Sequence, residues 1–166
     1  MKLSTLLFAG AISAFGVVRA ADYYVATSGS DDSDGSEAAP FATIDKAITL
    51  ATDSADTIHV AAGTYQTTTQ WGPNLAARLV GEGETRDDVV IESAGSYRTL
   101  RMAANSFVTN LTIVGNAAQV ADKGAAVEMS GGTLTDCVIK NGSAKNSSAN
   151  TEGGNLYVGS TSALPT

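Results

Sequence analysis

Five side chains in this sequence have the chemistry to bind or act on a polar ring-shaped ligand. A lysine or arginine can take a proton next to a carboxylate, and an acid can hold a cation that makes this proton more acidic. Aromatic rings stack on the apolar faces of sugars. The five weak candidates for binding are Arg101, Glu128, Lys140, Tyr157 and Trp71.

A structural interpretation of the charged candidates is simpler. Arg101 and Glu128 fall on neighbouring repeats, where an exposed pair of opposite charges contributes roughly 0.2–1 kcal/mol. Only Asp136 and Lys140 join them as outward charges, and acids do not cluster on one face. The sequence therefore favours an ion pair over a catalytic group, and catalytic residues are expected after Thr166 if the protein is an enzyme.

The elements that position these residues repeat along the second half of the chain. Phe107–Asn116 is matched 26 positions later by Thr133–Gly142. A second series recurs at offsets of 27 and 29 positions, in Thr99–Met102, Ala126–Met129 and Asn155–Val158. Each copy alternates apolar and polar residues between turn-forming residues, which predicts short strands. Such strands bury an apolar face only when the repeats stack, so the pattern predicts a solenoid.

Alternation along these strands assigns their faces. Arg101, Glu128 and Tyr157 are predicted to point outward in one column, with neighbours about 4.8 Å apart. The residues predicted to point inward are Leu100, Met102, Val127, Met129, Leu134, Cys137, Ile139, Leu156 and Val158.

Other parts of the repeats are predicted to be turns and loops. Asn110 and Asp136 share one turn position, where a short polar side chain can hydrogen-bond the turn backbone. Wide loops are expected at 66–75 and 142–154, beside the binding face. Cys137, the sole cysteine, is expected to be a buried thiol and not a nucleophile.

The first 20 residues predict a secretory signal peptide. Lys2 precedes an uncharged apolar run over Leu3–Val18, and Val18–Ala20 is typical of a cleavage site. The alternative is a retained membrane anchor, but the run is short for a membrane span.

Removing the signal leaves eight basic residues against 17 acidic ones, a formal charge of −9. So acidic a surface argues against nucleic acid and anionic membranes as partners. A polyanionic ligand would need a local basic patch or a bridging cation.

The residues after the signal predict a strand at Tyr23–Val25 and one amphipathic helix. Thr43 is a suitable N-cap, and an apolar stripe follows it at Ile44, Ala47, Ile48 and Ala51. This helix is expected to cover the N-terminal end of the solenoid.

Two groups in this region invite a metal interpretation. Asp31, Asp32 and Asp34 resemble the start of a calcium loop, but its required acid would fall at Phe41, so hydrogen-bonded turns are favoured. His59 is the only histidine and has no partner in a zinc-binding spacing, so it is expected to be exposed or packed beneath the helix.

Three stretches carry a family resemblance: Tyr23–Ser36, Ala39–Ile48 and Asp56–Tyr65. Together they resemble the N-terminal cap of secreted right-handed parallel β-helix proteins of the pectate-lyase-like superfamily. The resemblance implies an all-β, right-handed parallel β-helix with a short amphipathic capping helix. It also implies an extracellular polysaccharide partner and, in lyases, Ca²⁺ as cofactor, although no metal ligands are identified in this sequence.

The sequence leaves two functions open. The first is a secreted carbohydrate-active protein, a Ca²⁺-dependent pectate-like lyase acting by β-elimination. The second is a non-catalytic, adhesin-like surface solenoid that binds glycan or protein through its loops. The expected organisation is a signal peptide at 1–20 and a monomeric β-helix domain at 21–166, with its cap at 22–56 and rungs at 57–166. The last rung starts just before Thr166, so further rungs are expected beyond it.

Overall fold

A computed structural model describes residues 20–69, 73–96, 98–115, 124–143 and 154–159. The signal-peptide prediction therefore lies almost wholly outside the described residues. The described residues form one short helix and eleven strands. These are α1 (Ile44–Leu50) and β1 (Asp22–Val25), β2 (Thr57–Val60), β3 (Gly63–Thr67), β4 (Asn74–Leu75), β5 (Arg78–Gly81), β6 (Val89–Ser93), β7 (Leu100–Met102), β8 (Phe107–Val114), β9 (Val127–Met129), β10 (Thr133–Lys140) and β11 (Leu156–Val158).

The strands form two sheets in which every strand pair is parallel. One sheet has the order β1-β2-β5-β8-β6-β3, with β10 also paired to β8, and the other has the order β11-β9-β7-β4. Consecutive neighbours in the second sheet are 27, 27 and 29 residues apart along the chain, as the register of Asn74, Arg101, Glu128 and Tyr157 shows. The chain therefore has an all-β parallel architecture that returns to the same sheets at intervals.

Strands β8 and β10 each turn a corner at the position that the sequence identified. The first part of β8 pairs with β5 and its last part with β6. Between them Asn110 has a φ of 54°, and Asp136 has a φ of 49° at the matching place in β10. Left-handed backbone is tolerated best by glycine, asparagine and aspartate. This explains why a short polar residue recurs there.

The two corner side chains have different partners. Asn110 Nδ2 donates to the carbonyl oxygens of Gly81 and Gly83, both at 2.9 Å, as expected for a turn-stabilising amide. Asp136 does not bond the turn backbone in this way. Its Oδ1 pairs with Arg86 Nη1 at 2.6 Å, because an aspartate has no amide hydrogen to donate to a carbonyl.

The inward faces of the strands form one apolar core. Of the nine residues assigned inward, four are buried and three pack partly buried against the core: the buried ones are Leu100, Met102, Val127 and Met129, and the partly buried ones are Leu134, Cys137 and Ile139. Two assignments fail by exposure: Leu156 and Val158 are 36% and 66% exposed. They keep register with Val127 and Met129, but β11 is the outermost described strand of its sheet, so no described strand covers them.

The predicted loop at 66–75 is wrong at both ends. Thr67 belongs to β3, is buried, and donates from Oγ1 to the carbonyl oxygen of Thr99 at 3.1 Å. Leu75 belongs to β4, pairs with Met102 and is fully buried. Strand β4 contains a single apolar residue, Leu75, and one residue does not form the alternating pattern from which a strand can be predicted. Most of the second predicted loop, 142–154, lies outside the described residues.

Helix α1 begins where the sequence predicts. Thr43 Oγ1 accepts from the backbone N–H of Lys46 at 3.2 Å, and Ile44, Ala47 and Ile48 are buried. The helix contacts β1, β2 and β3.

The aspartates before the helix hold turns together, as the sequence favours. Asp31 accepts three hydrogen bonds: at Oδ1 from the backbone N–H groups of Ala42 and Thr43, at 3.0 and 2.9 Å, and at Oδ2 from Thr43 Oγ1, at 2.7 Å. Asp34 Oδ1 accepts from the backbone N–H of Ser36 at 2.9 Å. Asp31 therefore reaches across eleven residues to orient the N-cap of α1.

Replacing Asp31 by alanine is expected to destabilise the protein. The variant loses all three bonds at the start of α1, which corresponds to about 1–3 kcal/mol in the free energy of unfolding. Urea unfolding followed by circular dichroism measures this loss. Asp32→Ala, at an exposed neighbour, is the matched control, and an equal loss in both variants would contradict the assignment.

Candidate functional site

Four side chains form a single column on the outer face of the four-stranded sheet. Asn74 is in register with Arg101, Arg101 with Glu128, and Glu128 with Tyr157. Their neighbours in β7 and β9 are buried, and alternation turns the column residues the other way. We call these four residues the outer column. Three of the five sequence candidates, Arg101, Glu128 and Tyr157, thus come together.

One carboxylate oxygen of the outer column, on Glu128, binds two guanidinium groups. Glu128 Oε2 lies 3.3 Å from Arg101 Nε and 2.9 Å from Arg98 Nη1. The Arg98 side chain is 6% exposed, that of Glu128 27% and that of Arg101 41%. The expected ion pair between Arg101 and Glu128 is present. Glu128 makes a shorter contact with Arg98, a buried arginine that was not among the sequence candidates.

Arg98 also holds the backbone at the start of the neighbouring rung. Its Nε donates to the carbonyl oxygen of Gly124 at 2.9 Å. Burial lowers the pKa of the Arg98 guanidinium, the Glu128 carboxylate raises it, and Arg101 lowers it further. The sequence indicates the buried position of Arg98 only weakly, through the small residues at the matching positions of the next rungs. At the same offset the next two rungs carry Ala125 and Gly154, small residues that leave room for a long side chain.

Two glycines make room for the tyrosine that completes the column. A Cβ on Gly159 would lie 2.6 Å from Cε1 of Tyr157, and a Cβ on Gly124 would lie 2.9 Å from its Cβ. Real Cβ atoms do not approach so closely. The Tyr157 ring therefore packs over Gly159, in the rung that follows Glu128.

The remaining two sequence candidates are Lys140 and Trp71. Lys140 ends β10, is exposed, and is in register with Val114 of the seven-stranded sheet. Trp71 lies outside the described residues. The predicted column of Arg101, Glu128 and Tyr157 is therefore present, and Lys140 lies on the other sheet.

His59 lies on β2 in the seven-stranded sheet, away from the outer column. Its side chain is 25% exposed, and it contacts carboxylates, Glu82 and Asp22. His59 was expected to be either exposed or packed beneath the helix, and the structure shows it partly exposed.

Cys137 is half-buried, close to the expectation of a buried thiol. Its Sγ donates to the carbonyl oxygens of Thr135 at 3.2 Å and Val108 at 3.7 Å. Burial raises the pKa of the thiol above its ordinary value, and hydrogen bonding with the backbone of Leu111 and Thr135 only partly opposes this rise. A thiol with a raised pKa is a poor nucleophile at neutral pH.

The described part of the chain contains no group of three or more His, Cys, Asp or Glu side chains arranged to hold a metal ion. In the same residues no helix has the length and apolar character to cross a bilayer.

Comparison with known proteins gives one family and one solved structure. Residues 27–72, 46 of the 166, match a family described as "Protein of unknown function (DUF1565)". No curated protein matches the chain. A solved structure described as "Rhamnogalacturonan lyase" is similar with 17% identity and a TM-score of 0.45, over 66% of this chain and 32% of that one. The chain thus spans about a third of that protein.

The matched residues 27–72 overlap the three stretches that carry the resemblance, and the parallel sheets agree with the parallel all-β architecture that the resemblance implies. These findings do not identify a particular family member.

Replacing Glu128 by alanine is expected to destabilise the protein through Arg98. The variant removes the carboxylate that neutralises a buried guanidinium, which corresponds to about 2–4 kcal/mol in the free energy of unfolding. Chemical unfolding measures the loss. Arg101→Ala removes the exposed partner of the same oxygen and is expected to cost less than about 1 kcal/mol. Equal losses would show that Arg98 does not depend on Glu128.

Cys137 is expected to react slowly with a thiol reagent in the folded protein. Because folding raises the thiol pKa, this group stabilises the fold below its unfolded pKa and loses that contribution as pH rises through the folded pKa. Labelling with a chromogenic disulfide at about pH 8, near the ordinary thiol pKa, should be several-fold slower in buffer than in urea. Equal rates would contradict the burial of Cys137.

Proposed function

We propose that the chain is a secreted right-handed parallel β-helix with α1 as its N-terminal cap. Parallel pairing throughout, inward apolar columns and left-handed corners at Asn110 and Asp136 support stacked rungs. Right-handed connections between parallel strands of a sheet are the strongly preferred hand. The buried face of α1 packs beside β1, β2 and β3, which suits a cover for the first rung.

We propose further that the outer column binds an extracellular polysaccharide that contains uronate. The observation that carries this proposal is the exposed guanidinium of Arg101, in register between Asn74 and Glu128. The Arg101 side chain is 41% exposed, and its Nε lies 3.3 Å from Glu128 Oε2. The whole chain carries a formal charge of −7. An acidic ligand therefore meets an exposed cationic group at this place on an otherwise acidic protein.

The geometry of the column suits a sugar chain. Arg101 is 41% exposed, so its guanidinium can bond a carboxylate with two parallel N–H donors while Glu128 orients its Nε side. Tyr157 lies two rungs further along, and its ring has an apolar face for a sugar. Asn74 adds an amide on the opposite side of Arg101. Along the column, the Arg101 guanidinium thus lies between the amide of Asn74 and the ring of Tyr157.

These contacts favour binding over β-elimination at this place. Lysine and arginine were both expected from the sequence as possible bases, but a guanidinium that stays protonated at neutral pH is unsuited to take the proton beside a uronate carboxylate. The nearest acid, Glu128, is neutralised by two arginines. Lys140, the alternative base, stands on the other sheet. Of the two function classes, glycan binding by a solenoid surface is the better supported, and a lyase would need its catalytic groups elsewhere.

Calorimetric titration with oligogalacturonate tests the proposal. We expect binding that weakens as salt is raised, and no binding of an uncharged galactan oligomer. Arg101→Ala should weaken binding by about tenfold, the effect of one lost charged hydrogen bond. Tyr157→Ala should weaken it by several-fold.

The matched control is Arg78→Ala, which removes an arginine from β5 in the other sheet, where it lies 4.4 Å from the centre of the Phe107 ring. Loss of affinity in this variant equal to that in Arg101→Ala would contradict the proposed site. Ultraviolet absorbance of the same mixtures, with and without Ca²⁺, detects unsaturated products. Product formation that survives Arg101→Ala would mean a lyase whose site lies outside the outer column.

A further inference from the structure

A second candidate site is a groove that lies against the first strands of the seven-stranded sheet. It encloses about 500 Å³, within the range of small-ligand sites of roughly 300–1,000 Å³. Its lining combines rings and short apolar side chains with two acids. The main contributors are Tyr24, Pro40, His59, Ala61, Glu37 and Glu82.

Two of the rings form a flat, parallel pair. Tyr24 on β1 and His59 on β2 are in register, and their ring centres are 4.7 Å apart at an angle of 15°. Register fixes this pair, because both side chains leave neighbouring parallel strands at the same level. Pro40 adds a third ring, on the segment that pairs with β1 through Phe41. The groove is therefore lined by three rings, of which Tyr24 and His59 each cover one face of the other.

The polar part of the groove carries negative charge. Glu82 Oε1 lies 2.6 Å from His59 Nδ1, and Asp22 Oδ1 lies 3.5 Å from His59 Nε2. Burial raises the pKa of the Tyr24 hydroxyl, and three nearby carboxylates raise it further: Glu37, Asp22 and Glu82. None of the described residues that line the groove is a lysine or an arginine. Its charge thus complements a cation.

We propose that this groove binds an amino sugar of a cationic polysaccharide. The apolar face of the sugar ring packs on the Tyr24 ring face that His59 leaves uncovered, beside Pro40, as sugars do on aromatic rings. The ammonium group pairs with Glu37 and Glu82, which also accept hydrogen bonds from ring hydroxyls. This site is separate from the outer column, and its ligand has the opposite charge.

The groove favours a sugar over a basic peptide because of its shape. An extended peptide would need pockets at alternate side chains along a strand edge. The edge of β1 is already paired, since Phe41 N–H donates to the carbonyl oxygen of Tyr24 and Ala26 N–H donates to that of Phe41. What remains open is a short groove with rings on one side and acids on the other.

Titration with a glucosamine tetramer and with its N-acetylated counterpart tests the site. The two ligands share the sugar ring, and only the first is charged at about pH 6, below the ordinary pKa of an amine. We expect the glucosamine tetramer to bind and the acetylated one to bind at least several-fold more weakly. Glu37→Gln and Glu82→Gln should each weaken the first by about tenfold. Equal binding of the two ligands would overturn the proposal.

The control variant is Glu84→Gln, which makes the same change at an exposed acid in the turn between β5 and β6. A similar loss in this variant would show general attraction of a cation to an acidic protein. Glu82→Gln also alters the partner of His59, so Glu37→Gln with an unchanged melting temperature is the decisive variant. Competition by tetralysine at equal affinity would likewise overturn the amino-sugar assignment. Arg101→Ala should leave this binding unchanged, which separates the test from that of the outer column.

Discussion

Parallel register between successive strands is the constraint from which the other features follow. In a parallel ladder each residue stands beside its partner on the next strand, and alternate residues face opposite sides. Once Leu100, Val127 and Leu156 share one level, Arg101, Glu128 and Tyr157 must share the next. The apolar core and the outer column are therefore two consequences of one register. A shift by one residue would bury the charges and expose the core.

Hydrogen bonds from polar side chains stabilise the turns and ends that strand pairing does not hold. Asn110 ties a corner to the previous rung, Asp31 ties an acidic turn to the start of α1, and Arg98 ties Gly124 to the outer column. Among the described residues, no fully buried side-chain nitrogen or oxygen lacks a hydrogen-bond partner. Because an unsatisfied buried polar group costs about 1–3 kcal/mol, breaking these hydrogen bonds is unfavourable, and they stabilise the positions of the rungs. Two guanidinium groups, those of Arg98 and Arg101, also share one carboxylate oxygen of Glu128.

Repeats and alternation predicted the stacked strands, the column and the corner residues, because register copies a local pattern from rung to rung. The N-cap at Thr43 was predictable because capping depends on adjacent residues. The partners of Asp31 and Arg98 were not, since they lie 11, 12, 26 and 30 positions away in sequence. The pairing of Tyr24 with His59 spans 35 positions outside the regular repeat, and so the second groove had no sequence signal.

The most direct test of the account is a crystal structure of the protein with oligogalacturonate. It should show Arg101, Glu128 and Tyr157 on successive strands in one column. A uronate carboxylate should lie within about 3 Å of the Arg101 guanidinium, and a sugar ring should pack on Tyr157. A ligand bound on another face, or a register that separates Arg101 from Glu128, would contradict the account.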